Sequence, residues 1–307
     1  MDNIEIDDIN IEFHIASKQE AEKSSAFLLD EKEMIEVKDE EKTYYINSSL
    51  IKKFLKKGTE IDYCAAKVYA LYIAKTHKSL PTESMLKGLF FETGCIGATQ
   101  NGEGVYDLPR NKKTGAKSID QIRLEQQIQV FKSMYKEHDI RIEKDNIQLK
   151  LGKPFGYVNG VNVIIVGTLD IVSPIKFNRT KDEIVSHKLA VIDLKSTKNR
   201  HSTFGDYCWG DPQRMDHIQA VIYHWITGYP FVYLVFDYNN AETMGYDFIP
   251  VNVTADMLME FKESVRKVVG IMGIEEAYDW KRTNNLNHLC KDCPILECKS
   301  RNLIKEI

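Results

Sequence analysis

The apolar and polar positions of this chain fall into two rhythms, one of helical period and one of strand period, with short unbroken apolar runs between them. Helical spacing marks 49–58, SLIKKFLKKG, whose closing glycine suits a helix stop. It marks 65–79, and then 83–94, ESMLKGLFFETG, where Leu89, Phe90 and Phe91 predict a buried helix. The segment 118–138 carries the pattern most clearly, spacing Ile122, Leu124, Ile128, Phe131 and Met134 onto one broad core face. Next, 163–172 (VIIVGTLDIV) and 189–199 (LAVIDLKSTKN) predict a buried hairpin joined by a loop around 173–187. A helix over 214–227, strands over 229–238 and 244–253, and a helix over 255–272 complete the order. Met257, Phe261, Val265, Val268 and Met272 mark the core side of that last helix. Helices, strands, a crossover helix and a further strand predict an α/β domain, and no internal repeat is visible.

The chemistry gathers on the predicted hairpin. Each of its apolar runs ends by presenting a carboxylate: Asp170 in the first, Asp193 in the second, with Lys195 two residues on. Side chains alternate along a strand, so Asp193 and Lys195 share a face and Leu194 points the other way, into the core. Buried charges persist only when paired or metal-bound. Aspartates gathered in this way suit a hard divalent cation such as Mg²⁺. A lysine beside that ion can orient a water and stabilise charge on a phosphate, which is the chemistry of metal-assisted phosphodiester hydrolysis.

The order Gly-x-x-Asp (Gly167, Asp170), then Asp-x-Lys (Asp193, Lys195), resembles the core of the PD-(D/E)XK, or restriction-endonuclease-like, superfamily. About one helix later, 219–223 reads QAVIY, which places Gln219 and Tyr223 on one helix face. That Gln-x-x-x-Tyr signature resembles the RecB-like branch. The resemblance covers about residues 60–300 and implies an αβββαβ core with an N-terminal helical region. It also implies roles. Asp170 and Asp193 would bind Mg²⁺ or Mn²⁺, with the backbone carbonyl of Leu194 as a further ligand. Glu92, four residues after Gly88, matches the carboxylate form of a Gly-x-x-x-His/Glu element and would be another ligand, the alternative being a solvent-facing helical glutamate. Lys195 would position water, while Gln219 and Tyr223 would align the substrate strand. Lys198, Arg200 and Arg214 lie near the motifs and are candidates for phosphate contact or plain surface charges. The loop 101–118 is rich in glycine and basic residues; Arg110, Lys112, Lys113 and Lys117 either touch a nucleic-acid backbone or are simply solvated.

Six cysteines add a second feature. Cys290, Cys293 and Cys298 form a C-x2-C-x4-C cluster, which in a cytosolic chain favours a metal over disulfides. Three thiolates need a fourth ligand: His288 would complete a zinc site, a fourth cysteine either a zinc site or an iron–sulfur cluster. CRISPR-associated RecB-like nucleases and the AddB nuclease domain place one cysteine before the core and three after it around a [4Fe–4S] cluster. By that resemblance Cys64 is the fourth ligand and the cluster clasps the two ends of the fold. Cys95 and Cys208 read as small buried residues.

Charge and length change the picture less. Residues 1–45 hold fourteen acidic side chains against five lysines, a net of −9, so the −4 of the whole chain leaves +5 for the remainder. This predicts an acidic leader over 1–45 and a nuclease domain over 46–307 whose mildly basic body suits nucleic acid. No apolar run approaches the ~20 residues of a membrane span, and the N-terminus has no signal-peptide pattern, so the expected location is cytoplasmic. The combined expectation is a metal-dependent nuclease acting on single-stranded DNA ends, working alone or within a recombination, replication or CRISPR complex. The alternative is a catalytically silent nuclease-fold subunit that binds DNA or assembles a larger complex.

Overall fold

In the computed structural model a mixed β-sheet organises the chain, and it is described at residues 27–28, 43–55, 67, 70–71, 76, 82–99, 102–103, 108, 110, 114–203, 208–212, 214–237 and 245–273. The elements are β1 (Phe27–Leu28), β2 (Thr43–Ile46), α1 (Ser48–Phe54), α2 (Glu83–Ile96), β3 (Ala98–Thr99), β4 (Gly102–Glu103), α3 (Ile119–Met134, extended by a 3₁₀ turn, Tyr135–His138), β5 (Ile147–Val158), β6 (Val161–Asn178), β7 (Ile184–Thr197), α4 (Ile218–Thr227), β8 (Phe231–Asp237), β9 (Tyr246–Val251) and α5 (Ala255–Met272). From α3 to β8 the chain order is therefore α, three strands, α, strand.

The sheet runs β1-β5-β6-β7-β8-β9. β5, β6 and β7 form an antiparallel meander, and β7 pairs in parallel with β8. A parallel neighbour needs a crossover, and α4 supplies it. β2 pairs in parallel with β6 at Asn162–Ile165, alongside the stretch of β6 that β7 does not reach. Helices cover both faces. Val163, Ile165 and Leu169 of β6 pack with Val191 of β7 and with α1, α4 and α5. Ala190, Ile192 and Leu194 of β7 face the other way, onto Phe90, Phe91, Leu124, Ile128 and Phe131 of α2 and α3. β7 is thus buried on both faces through its centre, as a parallel strand between two helical layers should be.

Local chemistry sets the helix ends. Thr82, Ser118 and Thr254 accept the backbone N–H three residues on and start α2, α3 and α5. Gly97 and Gly228, both left-handed, stop α2 and α4. Gly94 has a packing role instead. A Cβ there would lie 2.3 Å from Ile128 Cδ1, so its absence lets α2 close on α3.

Three expectations change. The loop around 173–187 is mostly strand: β6 continues to Asn178 and β7 begins at Ile184, with a register irregularity between Ser173 and Ile175 where Pro174 offers no N–H. Ile122 is 41 % exposed rather than part of the core face, because it lies two residues from Leu124 and so on the opposite side of α3. The helix of 214–227 begins only at Ile218, where the Asp216 carboxylate accepts its N–H. The predicted helix over 65–79 lies largely outside the described residues.

Candidate active site

Three elements bring the sequence motifs together. Asp193 and Lys195 sit on β7 in register with Tyr233 and Val235 of β8. Their side chains point to one face and form an ion pair, while Leu194 packs in the opposite core. Asp170 on neighbouring β6 accepts the Leu194 N–H through Oδ2 at 2.9 Å. That bond locks the two acidic strand segments side by side.

α4 closes the face from above. Gln219 Nε2 donates to Asp193 Oδ1 at 2.6 Å and approaches the Tyr223 hydroxyl at 3.2 Å. The Tyr223 hydroxyl donates to the Thr168 carbonyl at 2.7 Å. A Cβ on Gly167 would stand 2.7 Å from Tyr223 Cε1. The glycine of Gly-x-x-Asp therefore clears space for the tyrosine of Gln-x-x-x-Tyr, and the two motifs are one packed unit.

Glu92 arrives from α2 on the other side. Gln148 of β5 joins it to Asp170: one amide nitrogen donates to Glu92 Oε1 at 2.6 Å and to Asp170 Oδ1 at 3.2 Å. Gln148 is absent from the sequence reading, although it touches two of the predicted acidic ligands. Its backbone has φ +50°, rare for a side chain other than glycine or asparagine. Strand alternation in IQLKL was legible, but no turn signal marked that residue.

The acids titrate abnormally. Burial first, and then the neighbouring Asp170 carboxylate, push Glu92 up to about 8. Burial and Asp193 push Asp170 up to about 7. Burial raises Asp193 as well, with Lys195 opposing. Burial also raises the Tyr223 hydroxyl, so it stays protonated and remains a donor. Three carboxylates around one ammonium leave negative charge that protons must offset.

No protein-family model matches the chain, and no curated protein matches it. A crystal structure from Eubacterium rectale, described as that of a "putative exonuclease", is similar over 76% of this chain and 82% of its own, at 15% identity and a TM-score of 0.44. A likeness at that level decides neither fold nor function.

The donor set fits a hard divalent cation: carboxylate oxygens, clustered, buried and short of positive charge. Among the described residues, however, no three such side chains converge as a ready-made cage. The Gln148 amide lies between Glu92 and Asp170, and the Lys195 ammonium caps Asp193. A cation would take over contacts that these two groups now satisfy.

Lys198 and Arg214 are exposed. The Arg200 guanidinium pairs with Asp247 at 3.3 Å and packs against Gly245. Lys117 pairs with Glu125 at 2.8 Å. Cys95 and Cys208 are buried. Cys64, Cys290, Cys293 and Cys298, His288, Lys112 and Lys113 lie outside the described residues. Among the described residues no helix is long and apolar enough to cross a membrane.

Proposed function

We propose that this protein is a metal-dependent deoxyribonuclease with a PD-(D/E)XK core of the RecB-like kind, acting on single-stranded DNA ends. The observation that carries the reading is the direct contact of Gln219 with Asp193, on a helix whose Tyr223 packs on Gly167. Three motifs separate in sequence meet as one constellation. Asp170, Asp193 and Glu92 would hold Mg²⁺ or Mn²⁺, with the Leu194 carbonyl as a further oxygen. The ion, when bound, supplies Lewis acidity and lowers the pKa of a water. Lys195 holds Asp193 and offers its ammonium to charge developing on a phosphate. Gln219 orients the Asp193 carboxylate, and Tyr223 anchors α4 to β6.

One observation favours the silent-subunit reading: amide and ammonium already satisfy the carboxylates. A single assay decides between them. Purified protein with Mn²⁺ or Mg²⁺ and end-labelled linear single-stranded DNA should give cleavage, and Asp193→Ala or Lys195→Ala should abolish it with the melting transition intact. No cleavage by the parent protein, or unchanged cleavage by either variant, sinks the enzyme. A circular single strand should be cut far more slowly, because an end must enter.

The cysteine clasp is a separate part of the proposal, supported by its spacing. Anaerobically purified protein should be brown and contain iron, and Cys64→Ser should bleach it while Cys95→Ser and Cys208→Ser should not. Colourless protein with one tightly held zinc would replace the iron–sulfur cluster by a structural zinc site.

A further inference from the structure

Gln148 carries three unfavourable features at one position. First, it stands opposite Asp170 in the β5–β6 ladder, where rungs join Ile147 to Ile171 and Leu149 to Leu169 but none joins Gln148 to Asp170. Second, φ of +50° in a non-glycine residue is strained. Third, its side-chain oxygen is buried with no hydrogen-bond partner. A regular strand residue here would restore the rung and relax the backbone. The fold therefore does not need this arrangement, and strain of this kind collects at functional sites.

The amide explains what the strain achieves. Its –NH₂ group carries two protons, and both are directed at carboxylates, Glu92 on one side and Asp170 on the other. It occupies the gap between two acids that would otherwise repel, and it holds them near each other. The orphaned oxygen serves nothing in that state. The terminal torsion of glutamine is soft, so a half-turn exchanges the two ends of the amide and presents the oxygen where the nitrogen was. Hard cations accept glutamine carbonyl oxygens readily.

We propose that Gln148 is a positioning residue that stands in for the divalent cation: its –NH₂ keeps Glu92 and Asp170 together in the ion-free protein, and its carbonyl oxygen turns to the ion on binding. This rests on the metal-dependent reading above. It assigns to β5 a part in the site that none of the three motifs contains.

The test is Mn²⁺ binding by the full chain, followed by calorimetry alongside thermal melting, so that activity is not needed. Glycine adopts φ +50° without strain. Gln148→Gly relieves the backbone strain but leaves the two acids unbridged, so its melting temperature without cation should change little, while it should bind Mn²⁺ about 10-fold or more weakly, as loss of an orienting partner typically does. Gln148→Glu keeps an oxygen and should bind at least as tightly as the parent protein. A merely structural residue would give the reverse pattern, with lower melting temperature and unchanged affinity in Gln148→Gly; that outcome overturns the proposal. Equal weakening by Gln148→Glu and Gln148→Gly overturns it too, since the oxygen would then be irrelevant. Parent protein that binds no Mn²⁺ at all removes the metal reading and this proposal with it, whereas normal parent binding with an unaltered Gln148→Gly removes this proposal alone.

Discussion

β7 and β8 lie side by side in parallel, and each buries an aspartate almost completely: Asp193 at 0 % exposure and Asp237 at 2 %. From sequence they look alike, since FVYLVFD is also an apolar run ending in a carboxylate. Their surroundings differ. Asp237 closes its strand, accepts the Arg200 N–H at 3.4 Å, and helps fix a loop. Asp193 lies within its strand, two residues after Val191, and it meets an ammonium, an amide and the field of two more acids. Equal burial thus serves two ends. β8 spends it on packing, and β7 accepts an electrostatic cost that packing alone would not require.

The largest effect should come from breaking β8. Phe236 is buried against Phe91 and Phe131, with ring centroids 5.2 and 6.2 Å away. Phe236→Ala should lose roughly 3–5 kcal/mol in denaturant unfolding, a large part of the 5–15 kcal/mol that holds a typical domain. Asp193→Asn should do the opposite: cleavage falls by about 10³-fold, near the upper cost of losing a charge-stabilising group, while stability holds. If Asp193→Asn unfolds the protein and Phe236→Ala does not, the division of labour between the two strands is wrong.

A smaller effect tests how α4 is seated. Gly167→Ala puts a methyl into the Tyr223 ring, and overpacking of this kind costs about 1–3 kcal/mol. Cleavage should fall with it, because the shifted helix carries Gln219 away from Asp193. Tyr223→Phe in the same background keeps the ring and therefore the clash, so it should not rescue. Wild-type stability in Gly167→Ala would mean that α4 is not packed as described.

Much of this was legible in sequence. β8, β9 and α5 fall within two residues of their expected bounds, since dense apolar runs and a clean helical stripe leave few alternatives. The meeting of Asp170, Asp193, Lys195, Gln219 and Tyr223 also followed from motif order. Residues whose positions depend on contacts from distant elements were not legible. The conformation of Gln148 comes from partners 56 and 22 residues away, and nothing local announces it. The length of β6 and β7 was hidden because polar residues such as Ser173, Lys176 and His187 resemble loop composition, although Ser173 is fully buried and Lys176 alternates with buried Ile175 and Phe177. Arg200 looked like a surface charge near a motif; only the fold brings Asp247 to it.

The smallest effect is a pH dependence that β7 and its neighbours should show and β8 should not. Glu92 moves from an ordinary 4.5 to about 8 and Asp170 from 3.8 to about 7. In the unfolded chain both acids lose protons near pH 4, while the native protein keeps them to about pH 7–8. Between those limits the native state binds more protons, so stability falls as pH rises. The penalty is absent below about pH 4, grows across the window and is complete above about pH 8. In cation-free buffer the unfolding free energy should therefore decrease steadily from pH 5 to pH 8. Asp170→Asn should raise stability at pH 8, leave it nearly unchanged at pH 4 and flatten the profile. Mn²⁺ should restore stability at pH 8 in the parent protein by replacing protons with a cation. A profile that is flat, or that rises between pH 5 and pH 8, would mean that the three carboxylates do not share one buried site.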